Sequence, residues 1–339
     1  MGSDTSARGV WLQASRCLAP RIHHSDPSLD ALSEVLRLAH FHATVALDAT
    51  AHEPWCVSVP ASQSVSRAYV VVDGECHLQA AGGIEATLRA GDFAFLPGGE
   101  AHLLGSSLDV AAKPFSSLVR TSVAGELQPV RLGGQGPATR FVMLTVSWEK
   151  RHLAQPLLDA LPKVVFVDLH GATPLEWLTD AFSLVLSSSD APFLGASATR
   201  ARLAEIVMVE ALARFVQSRA PGGAGWLAGI NDRYVGRALA LIHGRPSEAW
   251  TVEKLGRQVR LSRSALADRF VDVMGEPLFA FLTRWRLQLA AEALITTQRP
   301  INAIAKDAGY ESAGAFSAAF KRAFRKPPTR FRKRNTSRR

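Results

Sequence analysis

The sequence predicts an α+β protein with an N-terminal β-barrel and accessory helices, followed by a C-terminal all-α domain of two helix-turn-helix units joined by a long helix. Apolar and polar residues alternate over residues 68–104, as in strands that are buried on one face. From residue 153 onward, apolar residues recur at spacings of three and four, as in amphipathic helices. The last third of the chain also contains an internal repeat.

Composition restricts the class of protein. Of the 339 residues, 47% are hydrophobic and 20% are charged, which excludes a disordered chain. No apolar stretch approaches the ~20 residues that cross a bilayer, and the N-terminus lacks the apolar core of a secretory signal. Cys17, Cys56 and Cys76 form neither a CxxC motif nor a disulfide framework. These features predict a soluble cytoplasmic protein with no membrane partner.

Changes in composition and periodicity predict the domain boundaries. The stretch APGGAGWLAGIND, at 220–232, is small and Gly-rich, as linkers are. The predicted segments are an N-terminal extension (1–27), a barrel domain (28–170), a helical region (171–219), a Gly-rich linker (220–231), a helix-turn-helix domain (232–333) and a basic tail (334–339).

Positive charge is concentrated in one part of the chain. Residues 231–339 contain 22 Lys and Arg against 9 Asp and Glu, whereas residues 1–230 contain 17 against 21. This asymmetry predicts a polyanionic partner for the C-terminal part alone. Charge by itself does not separate nucleic acid from anionic lipid.

The internal repeat lies in the basic segment. Val252, Leu255 and Gly256 recur 49 residues later as Ile301, Ile304 and Ala305, and Leu266 and Phe270 recur 50 residues later as Phe316 and Phe320. Each copy predicts a short helix, a tight turn and a second helix, which is the layout of a helix-turn-helix. The predicted helix caps are Thr251, Ser262 and Ser312, with Pro300 in a first helical turn and Gly309 at a positive φ. Between the copies, residues 277–297 predict a helix of about five turns, which would hold the second helices one DNA turn, ~34 Å, apart.

The second copy carries a longer motif. It reads Ile301-x2-Ile304-Ala305-x3-Gly309-Tyr310-x-Ser312-x3-Phe316-x3-Phe320-Lys321 and closes with Pro328-x2-Phe331-Arg332. This motif resembles the DNA-binding domain of the AraC/XylS family of bacterial transcription regulators, over residues 232–333. The resemblance implies sequence-specific binding to double-stranded DNA, contact with RNA polymerase and activation of transcription. Arg325 and Phe331 replace the family's usual glycine and tyrosine, which predicts an altered C-terminal cap.

The resemblance implies that outward residues of each second helix touch DNA. In the first unit, Leu266, Phe270 and Val271 are predicted to face the core. The predicted DNA-binding residues are Arg263, Ser264, Ala267, Asp268 and Arg269 in the first unit, and Ala313, Gly314, Ser317, Ala318, Lys321 and Arg322 in the second. Because most of these side chains are small, phosphate contacts are expected to supply much of the affinity.

The N-terminal region carries a second resemblance. Gly91-x5-Pro97-x-Gly99-x2-His102 resembles the second conserved motif of cupins, which are small β-barrels with an internal cavity. The resemblance implies that residues ~28–215 form the cupin-type sensor domain of an AraC-like regulator and bind a small-molecule effector. The residues predicted to line the pocket are Trp55, Tyr69, Phe95, His102 and Trp148.

No metal or other cofactor is predicted. Many cupins hold a metal with this histidine, a His-x-His pair and a carboxylate, but here Arg67 stands where the acid would be, so His102 lacks partners. His102 then fits a hydrogen-bonded histidine near the rim of the cavity. His40-x-His42 has a spacing that metal sites use, but no third ligand is evident.

Other functions compete with a ligand-responsive regulator. One is a metal-dependent cupin enzyme fused to a DNA-binding segment, and another is an architectural DNA binder without an effector. No catalytic residue is predicted, and no P-loop or dinucleotide motif occurs in its proper context, so the chain is not expected to be an enzyme. The apolar run from Leu203 to Leu212 fits a homodimer interface, a strut between domains or packing within the monomer.

Overall fold

The structure is a computed structural model that describes residues 31–118, 130–169, 195–218, 224–246 and 248–336. The predicted N-terminal extension, part of the helical region, the first residues of the Gly-rich linker and the end of the basic tail lie outside the described residues. The strands are β1 (Phe41–His52), β2 (Cys56–Val59), β3 (Ser66–Asp73), β4 (Glu75–Ala80), β5 (Ile84–Arg89), β6 (Asp92–Leu96), β7 (His102–Gly105), β8 (Lys113–Pro114), β9 (Val130–Gly133), β10 (Ala138–Trp148) and β11 (Val165–Asp168). The helices are α1 (Ala31–Ala39), α2 (Arg151–Ala160), α3 (Ala196–Ser218), α4 (Trp226–Asn231), α5 (Arg233–Gly244), α6 (Val252–Val259), α7 (Arg263–Met274), α8 (Leu278–Thr296), α9 (Ile301–Asp307), α10 (Ala313–Phe324) and α11 (Pro328–Thr336).

Two facing sheets form the N-terminal domain. One has the strand order β11-β6-β3-β10-β1-β9 and the other the order β5-β4-β7-β2-β8. Side chains such as Val57, Tyr69, Leu78 and Phe141 fill the space between them. The predicted β-rich barrel is therefore confirmed.

The segment from Asp92 to Gly99 shows how the barrel motif builds both layers. Along β6, Phe93 and Phe95 point to the outer face of the six-stranded sheet, and the alternate residues Ala94 and Leu96 point to the inside of the barrel. The turn that follows needs glycine at position 99. Its φ is +67°, and a Cβ there would lie 2.3 Å from the carbonyl oxygen of Ser62.

Helices cover the outer face of the six-stranded sheet. α1, α2 and α3 bury their apolar residues there, and α1 also packs against α5 of the C-terminal domain. Within α3, Val207 and Leu212 are buried in the monomer, whereas Ile206 and Val209 are 44% and 36% exposed. No helix in the described ranges combines the length and apolarity needed to cross a membrane.

The C-terminal domain consists of two helix-turn-helix units, α6–α7 and α9–α10, joined by α8, as predicted. The two turns repeat the same backbone geometry. The amide of Leu261 donates to the carbonyl oxygen of Gly256 at 2.8 Å, and the amide of Tyr310, 49 residues later, donates to that of Ala305 at 3.0 Å. The residue before each donor has a positive φ, +63° at Arg260 and +80° at Gly309.

The predicted caps are largely confirmed. Thr251, Ser262 and Ser312 each accept a hydrogen bond from the backbone amide three residues ahead, at 3.1–3.2 Å. Pro300 is the residue preceding α9 and not part of its first turn. Arg325, in place of the family's glycine, ends α10 with a φ of +59°.

The structure differs from the sequence prediction in two places. Part of the expected Gly-rich linker is α4, in which Trp226 and Gly229 are buried. Val271 is 43% exposed and does not face the core. Leu266, Phe270 and Met274 lie four residues apart on one helix face, so Met274 and not Val271 continues the buried ridge.

The hydrophobic cores divide the C-terminal domain. The first unit and the N-terminal half of α8, as far as Trp285, belong to the same core as the outer face of the barrel. The second unit packs with the C-terminal half of α8 in a separate core that contains Leu294, Ile304, Phe316 and Phe320. α8 therefore belongs to both cores.

Gly309→Ala is expected to lower the free energy of unfolding by about 1–2 kcal/mol, because the left-handed backbone is costly for any residue with a Cβ. That Cβ would also lie 2.8 Å from Nη1 of Arg286. Gly314→Ala is a matched control on α10, where a Cβ meets no atom closer than 4.0 Å, and it should preserve stability or raise it by up to about 1 kcal/mol. Urea unfolding followed by circular dichroism compares the two, and equal losses would contradict the assigned turn.

Candidate nucleic-acid interface and barrel cavity

α7 and α10 are the second helices of their units, and each has one buried face and one open face. Leu266 and Phe270 anchor α7, and Phe316 and Phe320 anchor α10, all at 0% exposure. A ridge of residues four apart occupies one side of a helix, so the opposite side of each helix remains open to a ligand.

All the predicted DNA-binding residues lie outside the cores. The exposed ones are Arg263, Ser264, Asp268, Arg269, Gly314, Ala318, Lys321 and Arg322, and the half-buried ones are Ala267, Ala313 and Ser317. The exposed face of α7 begins with Arg263 and Ser264, whereas α10 begins with the short residues Ala313 and Gly314 and has its cations, Lys321 and Arg322, in its last turn.

Two arginines of α7 are held by carboxylates of their own domain. Nε of Arg263 lies 3.0 Å from Oε1 of Glu253. Arg269 donates to both carboxylate oxygens of Asp232 over 2.6–3.0 Å, and its guanidinium lies 5.1 Å from the ring centroid of Tyr234. Arg269 therefore also fastens α7 to the start of α5.

Asp232 has two roles, one as an ion-pair partner and one as a helix cap. Besides Arg269, it accepts hydrogen bonds from the amides of Tyr234 and Val235, and so it caps α5. Burial raises the pKa of Asp232, but the Arg269 hydrogen bond and the two amides outweigh this, so its pKa lies below the ordinary value. The carboxylate is thus held ionised against the guanidinium.

The basic residues of α10 are differently placed. Within the described part of the chain, Lys321 and Arg322 have no carboxylate within ion-pair distance. Both are exposed in the last turns of the helix. They are therefore available to phosphate without first giving up an intramolecular partner.

Arg286 of α8 connects the two units, a role that sequence reasoning missed. It donates to the carbonyl oxygens of Pro246 at 3.2 Å and Glu248 at 2.6 Å, both in the loop before α6. Its Nη1 also lies beside Gly309 in the turn of the second unit. Backbone carbonyls carry no sequence signal, so no motif could have identified this contact.

The barrel has an open cavity of about 630 Å³ at one end of the five-stranded sheet. Its lining includes Val59 and Leu103, the polar residues Ser58 and Gln79, and His102. Phe115 and Ser116, from the 3₁₀ turn after β8, close one side. A mostly apolar cleft with a few polar groups is typical of small-molecule sites.

His102 is fully hydrogen-bonded. Nδ1 lies 2.8 Å from the carbonyl oxygen of Glu100, and Nε2 lies 2.5 Å from the hydroxyl of Tyr69. A carbonyl only accepts, so Nδ1 carries the proton and the Tyr69 hydroxyl donates to Nε2. Burial lowers the pKa of His102, the Glu100 carbonyl opposes this in part, and the charge of Arg67 lowers it further. His102 is therefore a neutral imidazole.

The structure brings together only some of the residues predicted to line the pocket. His102 lines the cavity, Tyr69 lies directly behind it, and Trp55 stacks on Phe141 inside the barrel, with ring centroids 5.2 Å apart. Phe95 and Trp148 instead lie in the core on the outer face of the six-stranded sheet. The alternation of side chains along the strands separates the two groups.

The two histidines considered as metal ligands have carboxylate partners. Nδ1 of His40 lies 3.1 Å from Oε2 of Glu149, and Nδ1 of His42 lies 3.5 Å from Oε1 of Glu205. Among the described residues, no group of three His, Cys, Asp or Glu side chains is arranged to hold a metal ion.

Comparison with known proteins matches both halves of the chain. Residues 30–217 match the Cupin family, and residues 255–334 match a helix-turn-helix domain. The HTH-type transcriptional regulator AlkR of Acinetobacter baylyi is 27% identical over 91% of this chain and 100% of its own length. A putative AraC-like transcription regulator of Streptomyces antibioticus is 32% identical, over 90% and 99%. The RCS-specific HTH-type transcriptional activator RclR of Escherichia coli is 27% identical, over 90% and 98%.

The family match covers more than half of the chain, and the relatives align with this chain over nearly their whole length. The chain therefore belongs to the AraC-like transcription regulators, with an N-terminal cupin domain and a C-terminal helix-turn-helix domain that binds DNA.

Proposed function

We propose that this regulator is a cytoplasmic, effector-responsive activator. In this proposal α7 and α10 contact double-stranded DNA, and a small molecule in the barrel cavity changes the affinity of the two units for that DNA. The observation that carries the proposal is the single core shared by the barrel and the first unit, because a change in barrel packing then reaches α7 through buried contacts.

The exposed faces of α7 and α10 support the DNA contacts. Ala267 and Ala318 are small enough to pack on thymine methyl groups, and Asp268 can accept a hydrogen bond from a cytosine amine. Lys321 and Arg322 have no carboxylate partner in the described ranges, which suits contacts with phosphates.

An effector acts only if it binds one arrangement of the protein better than another. β3 connects the cavity with the shared core, since Tyr69 is hydrogen-bonded to His102 of the cavity lining and its neighbours Ala68 and Val70 lie in that core. A shift of this strand on ligand binding moves residues on both of its faces. The effector therefore biases the position of the first unit relative to the second.

Activation implies a contact with RNA polymerase, and one relative carries the name of a transcriptional activator. A homodimer through α3 would bury Ile206 and Val209, which are apolar and exposed on that helix. We propose no enzymatic activity, because both ring nitrogens of His102 are engaged by Tyr69 and Glu100 and Arg67 occupies the position of a metal-binding acid.

The double variant Lys321→Ala/Arg322→Ala is expected to weaken binding about equally on promoter DNA and on scrambled DNA. The slope of log affinity against log salt should become shallower by about 2, because each phosphate contact contributes roughly one unit. Arg202→Ala, which removes a 77% exposed cation from α3, is the control and should leave the slope unchanged. Fluorescence anisotropy across a salt series measures both, and an unchanged slope in the double variant would contradict the phosphate contacts.

Ala318→Glu is expected to reduce affinity for promoter DNA at least roughly tenfold, because it places a carboxylate on the face proposed to enter the groove. Ala323→Glu is the matched control, since Ala323 is also exposed on α10 but lies well around the helix from Ala318. Equal losses in the two variants would show that α10 does not present this face to DNA.

The effector is tested by melting the full-length protein against a library of small molecules. A compound that binds the folded state raises the Tm by mass action, and its effect on affinity for promoter DNA is then measured. We expect at least one stabilising compound to change DNA affinity several-fold. Stabilising compounds that all leave DNA affinity unaltered would contradict an effector-responsive regulator.

A further inference from the structure

Arg67 is half-buried, and two of its guanidinium nitrogens are buried without a hydrogen-bond partner. It lies on β3 two residues before Tyr69, so both side chains project from the same face of the strand, toward the barrel interior. Nε and Nη1 of Arg67 are buried and make no hydrogen bond, and no carboxylate of the described residues pairs with it. A guanidinium stays charged in proteins, and burying an unpaired charge is costly. An anion next to Nε and Nη1 would therefore supply the missing hydrogen-bond partner.

Arg67 lies directly behind the wall of the barrel cavity. Its guanidinium carbon is 5.8 Å from the ring centroid of Phe115, which lines the cavity. The charge of Arg67 also acts on His102, a second residue of the same wall. A ligand that displaces the Phe115 ring reaches Nε and Nη1.

We propose that this cavity binds a small organic carboxylate, with Arg67 as the residue that holds the carboxylate group. Arg67 would donate from Nε and Nη1, since guanidinium and carboxylate form two parallel hydrogen bonds. The apolar remainder of the ligand lies against Phe115 and the end of the sheet at Val59 and Ala80. Ser58, Gln79 and Leu103 line the part of the cavity on the other face of that sheet. This inference rests on the proposed effector role of the cavity and names its ligand class.

The charge of the site favours a monoanion over a phosphate dianion. His102 is neutral, because Nδ1–H donates to Glu100 and Nε2 accepts from Tyr69. The residues lining the cavity include neither lysine nor arginine. Arg67 lies beside Phe115 of the lining, and Nζ of Lys163 lies near Gly82, between the lining residues Ala81 and Gly83. At the Arg67 side of the cavity, a second negative charge on the ligand would be left without a cationic partner.

Glu100, which directly precedes the lining residues Ala101 and His102, is the carboxylate to be tested as an alternative partner for Arg67. Its Oε2 is also buried and makes no hydrogen bond, and it lies two residues before His102. A purely structural Arg67 would pair with Glu100, and loss of either side chain would then destabilise the protein in the same way. A ligand-binding Arg67 predicts different behaviour for the two residues.

Binding is measured with the full-length protein by calorimetry and by thermal melting. The probes are benzoate and octanoate, their uncharged counterparts benzamide and octanamide, and phenyl phosphate as a dianion. We expect at least one carboxylate to bind roughly tenfold or more tightly than its amide and than phenyl phosphate. Absence of carboxylate binding at millimolar concentration, or equal binding of acid and amide, would overturn the proposal.

Three variants locate the site. Arg67→Met keeps most of the side-chain length without the charge, and it should lose carboxylate binding roughly tenfold or more while the ligand-free protein melts no lower than the native chain. Arg89→Met, which removes a 72% exposed cation from β5, should bind the carboxylate normally. Glu100→Gln should retain binding. A ligand-free Arg67→Met protein that melts lower, together with a matching loss in Glu100→Gln, would show a structural ion pair and overturn the proposal.

DNA binding separates this inference from the proposed function. Arg67 lies on β3 and points away from the core that this strand shares with α7, so ligand-free Arg67→Met is expected to bind promoter DNA as the native protein does. Carboxylate binding that leaves DNA affinity unaltered would support the anion site and contradict effector control. A carboxylate that changes DNA affinity in the native protein and not in Arg67→Met supports both.

Discussion

The outer face of the six-stranded sheet, helices α1–α3 and the first helix-turn-helix unit share one continuous hydrophobic core, and the arrangement of the domains depends on it. α1 joins them, because it packs against α2 of the barrel domain and against α5 of the DNA-binding domain, and α2 adds contacts with α4 and α8. His243 at the end of α5 is 1% exposed, and its ring centroid lies 4.5 Å from that of Trp285 on α8. Protein interiors are close-packed, so the barrel and the first unit cannot move apart without opening this core.

The second unit is attached by different means. Its own core is built on the C-terminal half of α8, and Arg286 of the same helix lies beside Gly309 and donates to the loop before α6. A net hydrogen bond contributes about 1 kcal/mol, whereas exposing a large buried side chain costs several times as much. Adjustment of the two units to the spacing of a DNA site is therefore least costly at the second unit. A change of packing in the barrel therefore reaches the first unit directly through the shared core, and reaches the second unit only through α8.

The features that could be predicted from sequence are those set by local chemistry. The repeat, the serine and threonine caps and the positive φ at Gly309 depend on residues within a few positions of one another, and the structure reproduces them. The partner of Arg269 lies 37 residues away, and its identity depends on how α7 crosses α5. The apolar side chain of Val271 suggests a core position, but this prediction is wrong. The buried residues of α7 are spaced four apart, so the position after Leu266 and Phe270 is Met274.

The pocket was harder to predict because both faces of the six-stranded sheet are buried. In a sheet covered on one face, an apolar residue such as Phe95 would point to the only core available. Here alternate residues of β6 enter two different cores, and the aromatic character of Phe95 and Trp148 does not reveal which. The informative signal was a departure from the cupin pattern, the arginine at position 67. An acid there would help to bind a cation, whereas Arg67 inverts the sign of the charge and, with both nitrogens of His102 already engaged, leaves a site suited to an anion. In the proposed carboxylate site, one change of charge on one strand changes the class of ligand while the same barrel is retained, and for this reason the cupin motif predicts the fold and not the ligand.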